Sequence, residues 1–75
     1  MLTITNFHFE PARGSMANHV MMYVKEYESY FHIWNINEED ETPSVAMNVM
    51  GTRRRIQVRN KKKISELIAA AKKMM

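Results

Sequence analysis

Residues 44–59, SVAMNVMGTRRRIQVR, alternate between apolar and polar side chains in two runs separated by Gly51-Thr52. A period of two over this length is the signature of strands that bury one face. A two-residue loop with glycine first fits a type II′ hairpin turn. With Gly51-Thr52 as the loop, the expected partners are Met50 with Arg53, Met47 with Ile56 and Val45 with Val58. Opposed residues share a sheet face. One face then holds Val45, Met47, Val49, Ile56 and Val58, with Arg54 at its turn end. The other holds Ser44, Ala46, Asn48, Met50, Arg53, Arg55, Gln57 and Arg59. A slip of one residue would mix the two sets, so turn and pattern support each other.

The rest of the chain supplies partners for this hairpin. Residues 19–36, HVMMYVKEYESYFHIWNI, are almost all β-formers. As one strand they would reach ~60 Å at ~3.3 Å per residue, too long for a small domain. A break at the polar stretch Glu26–Ser29 is expected, with a tight turn at Tyr27-Glu28 that sets Val24 against Phe31 and Met22 against Ile33. Val20, Met22, Val24, Phe31 and Ile33 then form one face. His19, Met21, Tyr23, Lys25, Tyr30, His32, Trp34 and Ile36 form the other. Residues 2–9, LTITNFHF, read as a further strand whose parity changes between Leu2/Ile4 and Phe7/Phe9; a bulge near Asn6, or departure from the sheet, would reconcile the two. Residues 10–18 read as a loop punctuated by Pro11 and Gly14-Ser15. Gly14-Ser15-Met16 also has the look of a cloning scar, with Met16 as an alternative start. Residues 37–43, NEEDETP, form an acidic loop without the ligand alternation or central glycine of a calcium loop.

Residues 61–75, KKKISELIAAAKKMM, carry Ile64, Leu67, Ile68, Ala71 and Met75 at helical spacing, a single apolar stripe. Asn60 is the expected N-cap. Lys61, Lys62 and Lys63 then sit in the first turn, against the helix dipole. A later start near Ser65 would remove that conflict.

These elements define an α+β fold: an antiparallel sheet of four to five strands, made of two hairpins and an N-terminal strand, with one C-terminal helix on one face. The chain's 75 residues form a single domain, 1–75. A chain this short buries only ~60% of the surface its unfolded form exposes. Cysteine is absent, which rules out disulfides and suits a reducing compartment, so a cytoplasmic, phage-like origin is expected. His8, His19 and His32 lack metal-ligand spacing, so neither a metal nor a cofactor is expected. No apolar run reaches membrane-spanning length.

One helix covers one sheet face. The second face is left with Tyr23, Tyr30, His32 and Trp34, joined by Arg53, Arg55 and Arg59, and with Lys61, Lys62 and Lys63 nearby. Three occupants are open: the N-terminal strand with Phe7 and Phe9, a second copy in a homodimer, or a ligand. Charge separates along the chain. Residues 1–42 carry two basic and seven acidic side chains, a net of −5, whereas residues 43–75 carry nine basic and one acidic, a net of +8. Aromatic rings stack on bases and arginines neutralise phosphates, so single-stranded DNA or RNA is the first expected partner. The strand–strand–strand–strand–helix order resembles that of single-stranded-DNA-binding transcriptional coactivators; the resemblance lies in element order, and no residue is carried over from it. The alternative is a protein-binding module or inhibitor that docks on a host nucleic-acid-processing complex, because Trp, Tyr, Met and Arg are enriched at interface cores. An acidic protein surface would satisfy the same basic residues. No nucleophile–base spacing or phosphate-cradling glycine loop points to catalysis, and no small-molecule substrate is expected.

Overall fold

The computed structural model describes residues 2–37, 42–49, 52–55 and 61–75. Its elements are β1 (Ile4–Glu10), β2 (His19–Val24), a 3₁₀ turn (Lys25–Tyr27), β3 (Ser29–Trp34), β4 (Ser44–Val49), β5 (Thr52–Arg55) and α1 (Lys61–Met74). The five strands form one antiparallel sheet in chain order, a meander closed by a C-terminal helix. This is the α+β arrangement that the alternation and the helical stripe predict.

The core lies between one sheet face and α1. Val20, Met22, Val24, Phe31 and Ile33, the whole predicted inner face of the central hairpin, are fully buried. Val45 from β4 and Leu67 and Ala71 from α1 complete the cluster, with Ile64 and Ile68 packed against it. Fully burying a side chain of this size contributes about 1.5–3 kcal/mol. Met75 does not join the stripe: it lies just past the end of the helix and is 47% exposed. The helix begins at Lys61, so its three lysines do oppose the dipole. The expected cap Asn60 lies outside the described residues.

Both hairpins pair two residues away from the predicted register, and their described strand residues keep the predicted parity. In the first, Met22 pairs with Phe31 and Val24 with Ser29. The connection is four residues, Lys25–Glu28, rather than a tight Tyr27-Glu28 turn. Glu28 takes a left-handed φ of 51° and donates its N–H to the Lys25 carbonyl. This wider turn lets Tyr27 reach back to Phe31, with ring centroids 5.7 Å apart. In the second hairpin, Val49 pairs with Thr52 and Met47 with Arg54. Thr52 is therefore a strand residue, as its β-branch favours, and not part of the loop. A shift of two keeps every side chain on its own face. Ile56, Gln57, Val58 and Arg59 lie outside the described residues, as do Met50 and Gly51.

The parity change in the first strand is a bulge. Thr5 pairs with Tyr23 and His8 with Met21, so Asn6 and Phe7 together oppose Met22. Asn6 adopts φ 52°, a left-handed conformation that asparagine tolerates. The extra residue turns Ile4, Phe7 and Phe9 to the same side, where they and Leu2 pack on the core. Residues 2–10 are thus an integral part of the folded unit, and β1 extends the sheet instead of crossing its second face.

Ile36 is the other correction. It was expected beside Trp34, but β3 ends at Trp34, and Asn35 takes φ 63°. That turn redirects Ile36 into the core, where it is 4% exposed. Asn18 holds the turn in place: its carbonyl accepts from Asn35 N–H, and its Oδ1 accepts from Ile36 N–H at 2.7 Å and Asn37 N–H at 3.3 Å. A buried asparagine thereby satisfies backbone donors that have left the ladder.

Candidate functional site

The sheet face opposite α1 is organised as three cross-strand rows. One runs Thr5, Tyr23, Tyr30, Asn48, Arg53. The next runs His8, Met21, His32, Ala46, Arg55. The third runs Glu10, His19, Trp34, Ser44. The register therefore brings six of the predicted site residues, Tyr23, Tyr30, His32, Trp34, Arg53 and Arg55, to one face, with the aromatics on the central hairpin and the arginines on the edge strand β5.

Within the first row the tyrosines make an edge-to-face pair, centroids 5.2 Å apart with planes at 63°. The Tyr30 hydroxyl accepts a hydrogen bond from Asn6 Nδ2 at 2.8 Å. The bulge residue thus positions a ring two strands away. In the other two rows, His19, His32 and Trp34 lie nearly parallel. The His19 and His32 rings are within 2° of coplanar, and His19 Nε2 lies 2.9 Å from His32 Nδ1. One imidazole donates and the other accepts, so the pair needs at least one neutral ring. Trp34 sits 4.9 Å from His19 and 5.8 Å from His32, at 15° and 16°. His32 is buried, whereas Tyr23, Tyr30, Trp34 and His19 are half-buried.

The lysines are placed elsewhere. Lys61–Lys63 open α1, the element packed on the core face. Lys63 Nζ lies 4.1 Å from the centroid of Tyr27, a cation–π contact that pins the helix start to the β2–β3 turn. Lys62 is exposed. Arg59 falls outside the described residues. Arg54 takes a core-face position opposite Met47 on the edge strand.

Three residues that sequence reasoning left out of the site belong beside it. His19 shares parity with Tyr23 and Trp34, a signal that was available. Glu10 and Arg13 gave none, because they lie in and beyond a strand whose parity the bulge reverses. Together with Met16 and Trp34 they line a cleft of about 350 Å³ at the foot of the β1–β2 loop. That loop is a narrow ribbon: Arg13 and Met16 exchange two backbone hydrogen bonds around Gly14-Ser15, with Gly14 at φ 58°. Glu10 Oε1 lies 2.6 Å from His8 Nε2. This contact holds the Glu10 carboxyl below its usual range, with smaller help from Arg13 and His19.

Among the described residues, no group of side chains has the makings of a metal site, and no helix is long and apolar enough to cross a membrane. No family model, curated protein or solved structure matches the chain. Function is therefore argued from this face itself.

Proposed function

We propose that the protein binds single-stranded nucleic acid on the sheet face opposite α1, with no catalytic role. The observation that carries the reading is the composition of the cross-strand rows: tyrosines, His32 and Trp34 on the central strands lead directly to Arg53 and Arg55 on the edge. Bases stack on aromatic platforms while cationic side chains follow the phosphates, and an open antiparallel sheet supplies both. The packing of Phe7 and Phe9 into the core leaves this face to a partner. Tyr23, Tyr30 and Trp34 are the stacking residues. Arg53 and Arg55 are the phosphate contacts, joined by Arg59 on the same predicted parity. The lysines of α1 stand on the other layer and contribute long-range attraction.

A second reading is docking on a protein, as in an inhibitor of a nucleic-acid-processing complex. Met16, 72% exposed beside Trp34, favours it, because methionine and tryptophan are enriched in interface cores.

A titration with a short single-stranded DNA and a short RNA at two salt concentrations, followed by Trp34 fluorescence, separates the two. Saturable quenching that weakens steeply with salt is expected. Arg55→Ala should weaken binding to all sequences and reduce the salt slope by about one. No quenching at low salt would sink the nucleic-acid reading and turn the search to a protein partner.

A further inference from the structure

We propose that the cleft between the 11–17 loop and Trp34 is a guanine-selective base pocket, in which Trp34 stacks on the purine and the Glu10 carboxylate accepts its N1–H and N2–H. The proposal rests on the single-strand reading of the adjoining sheet face and adds base selectivity to it.

The cleft's volume, about 350 Å³, falls within the ~300–1,000 Å³ typical of small-ligand sites. Its lining is chemically divided. Trp34 and Met16 offer a flat aromatic surface and a soft, adaptable apolar one. Glu10 and Arg13 offer opposite charges. Trp34 is held by the near-parallel His19 and His32 rings, so it enters the site already oriented.

Glu10 decides which base fits. His8 engages its Oε1 at 2.6 Å, and Oε2 makes no hydrogen bond among the described residues. The His8 contact also lowers the carboxyl's pKa from its usual value, which favours the ionised form. An ionised carboxylate only accepts hydrogen bonds. Guanine alone presents two adjacent donors, N1–H and N2–H, on its Watson–Crick edge. Adenine and cytosine set one amino donor beside a ring-nitrogen acceptor, and thymine and uracil flank one N–H with two carbonyls. Against a carboxylate, each of these meets an acceptor with an acceptor. Arg13, next to the cleft, balances the carboxylate and is in position for the phosphate of the bound nucleotide.

The cleft is also continuous with the stacking face. Glu10, His19 and Trp34 form one of its rows. A strand with phosphates on Arg53 and Arg55 at the β5 edge can therefore place a base over Trp34 at the other side of the sheet.

The test uses four eight-base DNA strands, all thymine except for G, A, C or T at one central position. Affinity is read from Trp34 quenching for the full chain and for Glu10→Gln. The Glu10 side chain is 57% exposed, so the substitution leaves the fold in place, which circular dichroism verifies. The wild type should favour the G-centred strand by on the order of tenfold, and Glu10→Gln should lose that preference while still binding the all-T strand. Equal affinity of the wild type for all four strands would overturn the pocket and leave the single-strand reading standing. Retention of guanine preference in Glu10→Gln would overturn the role of the carboxylate. Failure of every strand to bind would overturn both readings. Guanosine monophosphate serves as a further probe: affinity matching that of the G-centred strand would assign the pocket to a free nucleotide instead.

Discussion

Glu26 ties the start of β1 to the turn between β2 and β3. Its two oxygens accept from Thr3 N–H at 2.7 Å and Thr3 Oγ1 at 2.8 Å, while Lys25 N–H returns a bond to the Thr3 carbonyl. The Thr3 hydrogen bonds hold the Glu26 carboxyl below its usual value. A carboxylate with a depressed folded value stabilises the fold above its unfolded value, about 4.3, and loses that contribution as pH falls through the folded value. Glu26→Gln should therefore have a lower urea midpoint than the wild type at pH 7, and the gap should narrow as pH falls below the ordinary carboxylate range. A gap independent of pH would show that the charge is not what matters. Asn6 and Asn18 act on the same scale by a different means. Each is a short amide at a point where the backbone leaves regular pairing, one donating to Tyr30 and the other accepting from Ile36 and Asn37. Such contacts have no periodicity and leave no pattern in a sequence.

At the scale of elements, α1 is the component with an internal conflict. Its first turn contains no acidic residue and three lysines. Lys62 is exposed, so Lys62→Glu should raise stability by about 0.3–1 kcal/mol through the dipole, visible as a higher urea midpoint. Its effect on nucleic-acid affinity should be confined to a small, salt-sensitive loss, because the helix is on the far layer. What could be read in advance follows from period alone. The inner face of the first hairpin, the inner positions Val45 and Met47 of the second, the helical stripe from Ile64 to Ala71 and the bulge near Asn6 are parity or 3.6-residue patterns, and each is present in the structure. What could not be read depends on how a turn closes. Both hairpins pair two residues away from the expected register, because a 3₁₀ turn that packs Tyr27 against Phe31 competes with a tight one, and because Thr52 prefers the ladder. Ile36 escaped for the same reason: one left-handed residue, Asn35, moves it from the aromatic face to the core. The candidate site shows the same division. The face shared by Tyr23, Tyr30, His32, Trp34, Arg53 and Arg55 follows from parity, whereas the cleft at Glu10 and Arg13 depends on a loop geometry.

For the molecule as a whole, the open question is what meets the aromatic face. The single-strand reading expects a monomer without nucleic acid, measured by sedimentation velocity. A dimer that Trp34→Glu converts to monomer would assign the face to self-association instead. Charged residues mark both sheet edges, Glu10 on β1 and Arg53–Arg55 on β5, and charge on an edge strand discourages pairing with other chains. The meander bears on the order in which the protein forms. Every strand pairs with its sequence neighbour, so no strand must wait for a distant one, and low contact order of this kind favours fast assembly. The helix is the exception in one respect: it follows all five strands in chain order, yet Leu67 and Ala71 complete the layer over Val20, Met22 and Phe31. During synthesis the sheet can therefore pair before its apolar face is covered. In that interval the nascent chain presents a hydrophobic surface suited to a chaperone or to another unfinished copy, and chains released before α1 is made would be expected to aggregate rather than persist as a smaller folded unit.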